Sequence, residues 1–148
     1  MKETQLRSLN HQIAAAINQF RRAHHLPSLR VSAQLNAAAR QHSEEMGADG
    51  YFDHSSADGT PYWKRIQGFY TNTNYAYWTA GENLLFSSPS IKAAAAMRMW
   101  IASPDHLANL KDKSWRDLGV SAVRVVDAGG VYGGSTVTIV TTDFGARH

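Results

Sequence analysis

The apolar pattern of this chain changes period once, between Leu110 and Leu118, and a segment written in one period cannot settle as the other element. Before that point Leu6, Leu9, Ile13, Ile17 and Phe20 recur three or four residues apart and form a helical stripe. After it, Leu118, Val120, Ala122 and Val125–Val126 read as a strand, and 137–142 as another. Gly129-Gly130 supplies the turn between them, with Gly133-Gly134 as a second bend, which predicts an antiparallel hairpin. Helices first and a hairpin last, with an extended segment between, indicate an α+β layered domain.

The first helix is expected from about Gln5 to His24, and Pro27 ends that pattern. Ser32 is a good cap for a second helix, about Ala33 to Gly47, whose stripe is Leu35, Ala38, Ala39, His42 and Met46. His42 lies on or beside that apolar face and is read as a buried, hydrogen-bonded core histidine. Residues 47–60 form a long polar loop anchored by Tyr51 and Phe52, with Asp53 and His54 immediately after. Loops of that length with their own anchors are often functional. Thr60-Pro61 starts a short helix ending near Gly68. Residues 69–78, rich in Tyr, Thr and Asn, lead irregularly into an extended segment, Tyr75 to Leu85, that contains Gly81-Glu82-Asn83.

A further helix is expected from Ile91 to Ala102. The next begins at Ser103-Pro104, where the Ser103 side chain is read as the cap, Pro104 suits the first helical position and Asp105 the positive end of the dipole. There is no internal repeat or linker, so residues 1–148 are read as a single domain.

Composition narrows the function. The 148 residues include no cysteine, so disulfides and thiolate metal sites are excluded. The net charge of +3 is scattered, with Arg21-Arg22 the one adjacent arginine pair, unlike the clustered footprint of a nucleic-acid binder. No apolar run approaches the roughly 20 residues of a membrane span. The first four residues carry no signal-peptide core. His42-Ser43-Glu44-Glu45-Met46 lacks the second histidine of a zinc-protease helix, and the paired glycines lack the Lys-Ser/Thr of a phosphate loop.

His54, Glu82 and His106 remain. Two imidazoles and a carboxylate are the ligand set of an open zinc site. They are equally the components of a general acid/base group. Each also has a local structural reading, as loop anchor, backbone acceptor and cap neighbour.

Together these segments resemble the CAP superfamily, also called the SCP domain: cysteine-rich secretory proteins, antigen 5 and plant pathogenesis-related proteins. The resemblance runs through Ile17–Leu29, Leu35–Met46, Phe52-Asp53-His54, Gly81-Glu82-Asn83-Leu84, Trp100 to Leu110, Leu118-Gly119-Val120 and Phe144-Gly145, in the family's order. It is nearest the bacterial, cysteine-free branch. The resemblance implies a three-layer α-β-α sandwich with a small central antiparallel sheet and a large open cleft. It also implies a cleft carrying two histidines and two acidic residues, of which His54, Glu82 and His106 carry over. The second glutamate does not, because Ser103 stands three residues after Trp100.

The resemblance further implies a secreted, monomeric protein that binds a lipid- or sterol-like ligand or a cell-envelope component. It would be able to hold Zn2+ or another divalent metal at His54, Glu82 and His106, with no metal required for folding. Phe69, Tyr70, Tyr75, Tyr77 and Trp78 are the candidates to line an apolar ligand groove. The incomplete acidic pair argues against an enzyme, and the alternative is a metal-dependent hydrolase using His54, Glu82 and His106. A Ser103–His106–Glu82 hydrolase set is disfavoured, because a hydroxyl engaged in capping is a poor nucleophile.

Overall fold

The computed structural model describes Lys2–His148. In chain order the elements are β1 (Lys2–Gln5), α1 (Arg7–Ala23), β2 (Arg30–Val31), α2 (Ala33–Asp49), α3 (Tyr62–Gln67), β3 (Trp78–Ser87), α4 (Ala93–Ile101), α5 (Pro104–Lys111), β4 (Asp117–Val126) and β5 (Val137–Arg147). The sheet order is β1-β4-β5-β3, with β2 beside β4. All pairings are antiparallel except the two-residue β2–β4 contact.

The expected hairpin is β4–β5, and its turn holds Gly130, Gly133 and Gly134 at positive φ. Two features go beyond the sequence reading. The first residues described form an edge strand rather than leading directly into the helix, so α1 starts at Arg7. The strand β5 runs on to Arg147, because β3 pairs with it from Trp78↔Arg147 to Ser87↔Thr138.

Strand alternation sorts the core into two layers. Leu118, Val120, Ala122, Val140, Phe144 and Leu85 face α1, α4 and α5, where Ile13, Ile17, Trp100 and Leu110 complete one cluster. Val123, Val125, Ile139 and Leu84 face the other way and meet Met46 of α2. Leu35 and Ala38 pack on Ile66 and Tyr70 of the α3 region. This is an α-β-α sandwich, with β3 as the sheet edge opposite β1.

That edge is covered by side chains rather than by another strand. Asn109 Nδ2 donates to the Glu82 carbonyl at 3.0 Å, and Trp100 Nε1 donates to the Leu84 carbonyl at 3.1 Å. Two carbonyls that would template a further strand are thereby satisfied. The same contacts seat α4 and α5 beside β3.

One local expectation is corrected. Ser103 occupies the cap position with extended backbone, but its hydroxyl makes no capping bond. Its carbonyl accepts the Leu107 N–H at 2.8 Å, which any residue could do. Ser103→Ala is therefore expected to change stability by less than about 0.5 kcal/mol in urea unfolding, rather than the ~1 kcal/mol of a lost cap.

Candidate functional site

Three separated segments meet at the β3 edge. Glu82 lies on the face of β3 that looks toward α2 and α3, and its side chain has no solvent exposure. Arg65 of α3 donates from Nη2 to Glu82 Oε2 at 2.5 Å and from Nη1 to Asp143 Oδ2 at 3.4 Å. Asp143 is directly opposite Glu82 in the β3–β5 register. His54, on the polar loop, donates from Nδ1 to Glu82 Oε1 at 2.9 Å.

His42 holds that loop in place. Its ring is fully buried, and Nε2 donates to the Asp53 carbonyl at 2.7 Å, one residue before His54. The core-histidine reading is correct, and the ring also stands 4.0 Å from Glu82 Oε1. The Arg65 guanidinium reaches the His54 carbonyl at 3.3 Å, so the loop is tied at two adjacent residues.

Two buried carboxyl groups this close cannot both ionise. Burial, reinforced by the Glu82 charge, raises the Asp143 pKa well above its ordinary value. Burial also pushes Glu82 upward, but hydrogen bonds from His54 and Asp143 and the Arg65 charge outweigh it and hold Glu82 low. Asp143 thus carries the proton and Glu82 the charge.

A group with a raised folded pKa stabilises the fold fully below its unfolded pKa, and that contribution is lost as pH rises toward the folded value. For Asp143 the loss begins near pH 4, the ordinary aspartate range. Asp143→Asn keeps a donor for Glu82 and an acceptor for Arg65 without the proton. Its unfolding free energy should exceed the wild type's at pH 7–8 and converge with it near pH 4. A parallel pair of stability–pH curves would contradict this assignment.

His106 lies on α5, packed against the same edge of β3. Asn83 Nδ2 donates to the His106 carbonyl at 3.1 Å, and Asn109 Nδ2 donates to Asn83 Oδ1 at 2.9 Å, locking α5 onto β3. The His106 Nδ1 is buried without a hydrogen-bond partner. Burial lowers the His106 pKa, and the neighbouring His54 ring lowers it further. The His54 ring is thus near enough to His106 to disfavour its charge.

The cleft beside Glu82 measures about 370 Å3 and is lined by His54, Tyr62, Asn109 and Trp115 among others. His106 lines an adjoining apolar concavity of about 240 Å3 with Phe52, Leu84, Phe86, Met99, Trp100 and Ser103.

This geometry divides the predicted trio. Glu82 is engaged by Arg65 and His54 on its two oxygens, so it orients His54 rather than offering a free ligand atom. Among the described residues no three His, Cys, Asp or Glu side chains are arranged to hold one metal ion. With Nδ1–H given to Glu82, Nε2 is the one His54 nitrogen left to offer a lone pair. A carboxylate behind a histidine is the usual support of a metal-binding imidazole. A Ser103–His106–Glu82 relay is not assembled, since the Glu82 oxygens serve His54 and Arg65.

The aromatic stretch is partly packed against the domain. Tyr70 is buried and its hydroxyl donates to Asp117 Oδ2. Trp78 Nε1 donates to the Tyr70 carbonyl at 2.7 Å. The Arg147 guanidinium lies 4.0 Å from the Tyr70 ring centre and 4.6 Å from that of Tyr75. Tyr77 stacks on His148 at 4.7 Å, and Phe69 packs beside the Leu35–Ile66 cluster. Phe69, Tyr70 and Trp78 are thus packed into the domain, Tyr75 and Tyr77 stay exposed, and the apolar concavity beside His106 is lined by other residues.

Sequence reasoning missed Arg65 and Asp143. Asp143 carried a signal, a lone acidic residue in a strand that is otherwise apolar, Thr and Gly up to its terminal Arg147. Arg65 carried none, because its partners are 17 and 78 residues away.

The profile of the Cysteine-rich secretory protein (CAP) family matches residues 14–141. The chain belongs to the CAP family. Solved structures agree with this fold. An extracellular protein containing an SCP domain from Bacillus anthracis is 28% identical with a TM-score of 0.71, the match covering 93% of this chain and 40% of that one. An outer surface protein of Borrelia burgdorferi is 18% identical with a TM-score of 0.78, covering 99% of this chain and 100% of that one. A cysteine-rich secretory protein from Staphylococcus aureus is 14% identical with a TM-score of 0.62, covering 93% of this chain and 38% of that one. This CAP domain therefore spans well under half of the Bacillus and Staphylococcus chains. Among curated proteins no match is found.

Proposed function

We propose that this CAP domain is a non-enzymatic binding module working outside the cell, and that His54 and His106 take up a divalent cation such as Zn2+. The observation that supports the metal reading is the 2.9 Å bond from His54 Nδ1 to a carboxylate held by Arg65, which directs the Nε2 lone pair away from the protein interior. The lowered pKa of His106 keeps the second ring neutral, as a ligand must be. When bound, the cation would supply positive charge and open positions for an oxygen of the domain's ligand. The extracellular and outer-surface descriptions of the Bacillus and Borrelia proteins support the location.

The ligand we favour is lipid- or sterol-like or a cell-envelope component, with its apolar part beside Phe52, Phe86 and Met99, which are exposed around the concavity next to His106. Hydrolysis is the weaker reading, because Glu82, the candidate base, is buried, held at a low pKa and so weakly basic, and engaged on both oxygens.

Calorimetric titration with ZnCl2 at pH 7.5 tests the metal site. One saturable site is expected, weakened at least about tenfold by His54→Ala and by His106→Ala, since each removes one of two protein ligands. Binding should fall at pH 5.5, where protonated imidazole cannot ligate. No binding, or binding indifferent to both substitutions, would remove this reading.

A further inference from the structure

A second cleft, on the opposite edge of the sheet from His54, has a donor set that the metal reading does not use. Along its outer side β4 is covered by β2 at Asp117 and Leu118 and by β1 from Val123 to Val126. Residues 119–122 between them have no strand partner on that side. The gap opens into a cavity of about 230 Å3 between α1 and α2, floored by Leu118, Val120, Ala14 and Val31.

The exposed edge of β4 is closed by two asparagines, one from each helix. Asn10 Oδ1 accepts the Ala122 N–H at 2.6 Å, and Asn36 Oδ1 accepts the Val120 N–H at 3.0 Å. Their oxygens are therefore committed to the sheet, and this fixes the amide orientation. What each asparagine presents to the cavity is its NH2 group. Arg7 and His11 on α1 and Arg40 on α2 complete the wall. Arg40 spends Nε on Glu44, which leaves its terminal nitrogens as donors. Gln5 is spent on both ends, giving Nε2 to Glu44 and accepting from Ser121. No carboxylate lines the cavity. Apart from the Val120 carbonyl on the same edge, the polar side-chain groups left unsatisfied are nearly all donors, two of them permanently charged, over an apolar floor.

We propose that this cleft binds a small organic oxyanion, with the anionic oxygens between Asn10, Asn36, Arg7 and Arg40 and an apolar body on Val120 and Ala14. A neutral or cationic ligand would leave these donors without acceptors. Guanidinium groups recognise carboxylate and phosphate oxygens through paired N–H donors, so either headgroup meets the same chemistry. Asparagine NH2 groups anchored through their oxygens add fixed donors at little entropic cost on binding.

The test is a titration of the 15N-labelled chain with N-acetyl-L-leucine, inorganic phosphate and the neutral N-acetyl-L-leucinamide, read at the Asn10 and Asn36 side-chain amides. Saturable shifts are expected with N-acetyl-L-leucine, with phosphate or with both, and the stronger of the two identifies the headgroup. Arg7→Gln should weaken that binding about tenfold, the effect of one lost charge-assisted hydrogen bond. Arg7 is exposed, so this variant should keep the wild-type spectrum elsewhere. Equal shifts with the neutral amide, no shift with either anion at millimolar concentration, or an unchanged affinity in Arg7→Gln would overturn the proposal.

Discussion

Arg65→Met is expected to lower the unfolding free energy by about 3–5 kcal/mol, the cost of leaving a buried charge without its partner. The Arg65 side chain is 3% exposed, and those of Glu82 and Asp143 are not exposed at all, so water cannot take its place. Without the guanidinium, Glu82 must either stay ionised in an apolar setting or take up a proton. The diagnostic is the second substitution. Adding Glu82→Gln removes the stranded charge, so Arg65→Met/Glu82→Gln should be more stable than Arg65→Met alone. Urea unfolding at pH 7 measures both. A loss below about 1 kcal/mol, or no recovery in the double variant, would mean that Arg65 does not neutralise this carboxyl pair.

Gly119→Val should be comparably severe for a different reason. A Cβ at Gly119 would run into the Leu35 carbonyl carbon and the Asn36 nitrogen. These are backbone atoms of α2, so no side chain can swing aside to make room. The helix would have to lift from β4, opening the layer formed by Leu35, Ala38 and Ile66. Overpacking commonly costs about 1–3 kcal/mol, and a clash with a helix backbone belongs at or above the top of that range. Thermal unfolding of this variant close to the wild-type midpoint would show that α2 does not pack this tightly on β4.

Much of this arrangement could be read from residue order, and the limits follow from the physics of each signal. The helical stripe of α1 and the β4–β5 hairpin were legible because periodicity is local and one face of each is apolar. The N-terminal strand was not, because Lys2-Glu3-Thr4-Gln5 has no apolar alternation and becomes a strand only by pairing with Val123–Val126. The resemblance placed His54, Glu82 and His106 in one region. It could not divide them into an oriented imidazole, an occupied carboxylate and a second ring. That division depends on Arg65 and Asp143, whose roles exist only once α3 and β5 flank β3. Ser103 shows the converse limit: it sits where a capping serine should, yet its hydroxyl is not used.

The central claim is that Glu82 orients His54 so that Nε2 is the nitrogen offered to the cleft. Long-range 1H–15N spectra of the histidine rings at pH 7.5, recorded without and with one equivalent of Zn2+, test it most directly. His54 Nδ1 should carry a proton, and zinc should shift His54 Nε2 together with a ring nitrogen of His106, leaving His42 in its Nε2–H form. An Nε2–H His54, or zinc shifts that bypass both His54 and His106, would contradict it.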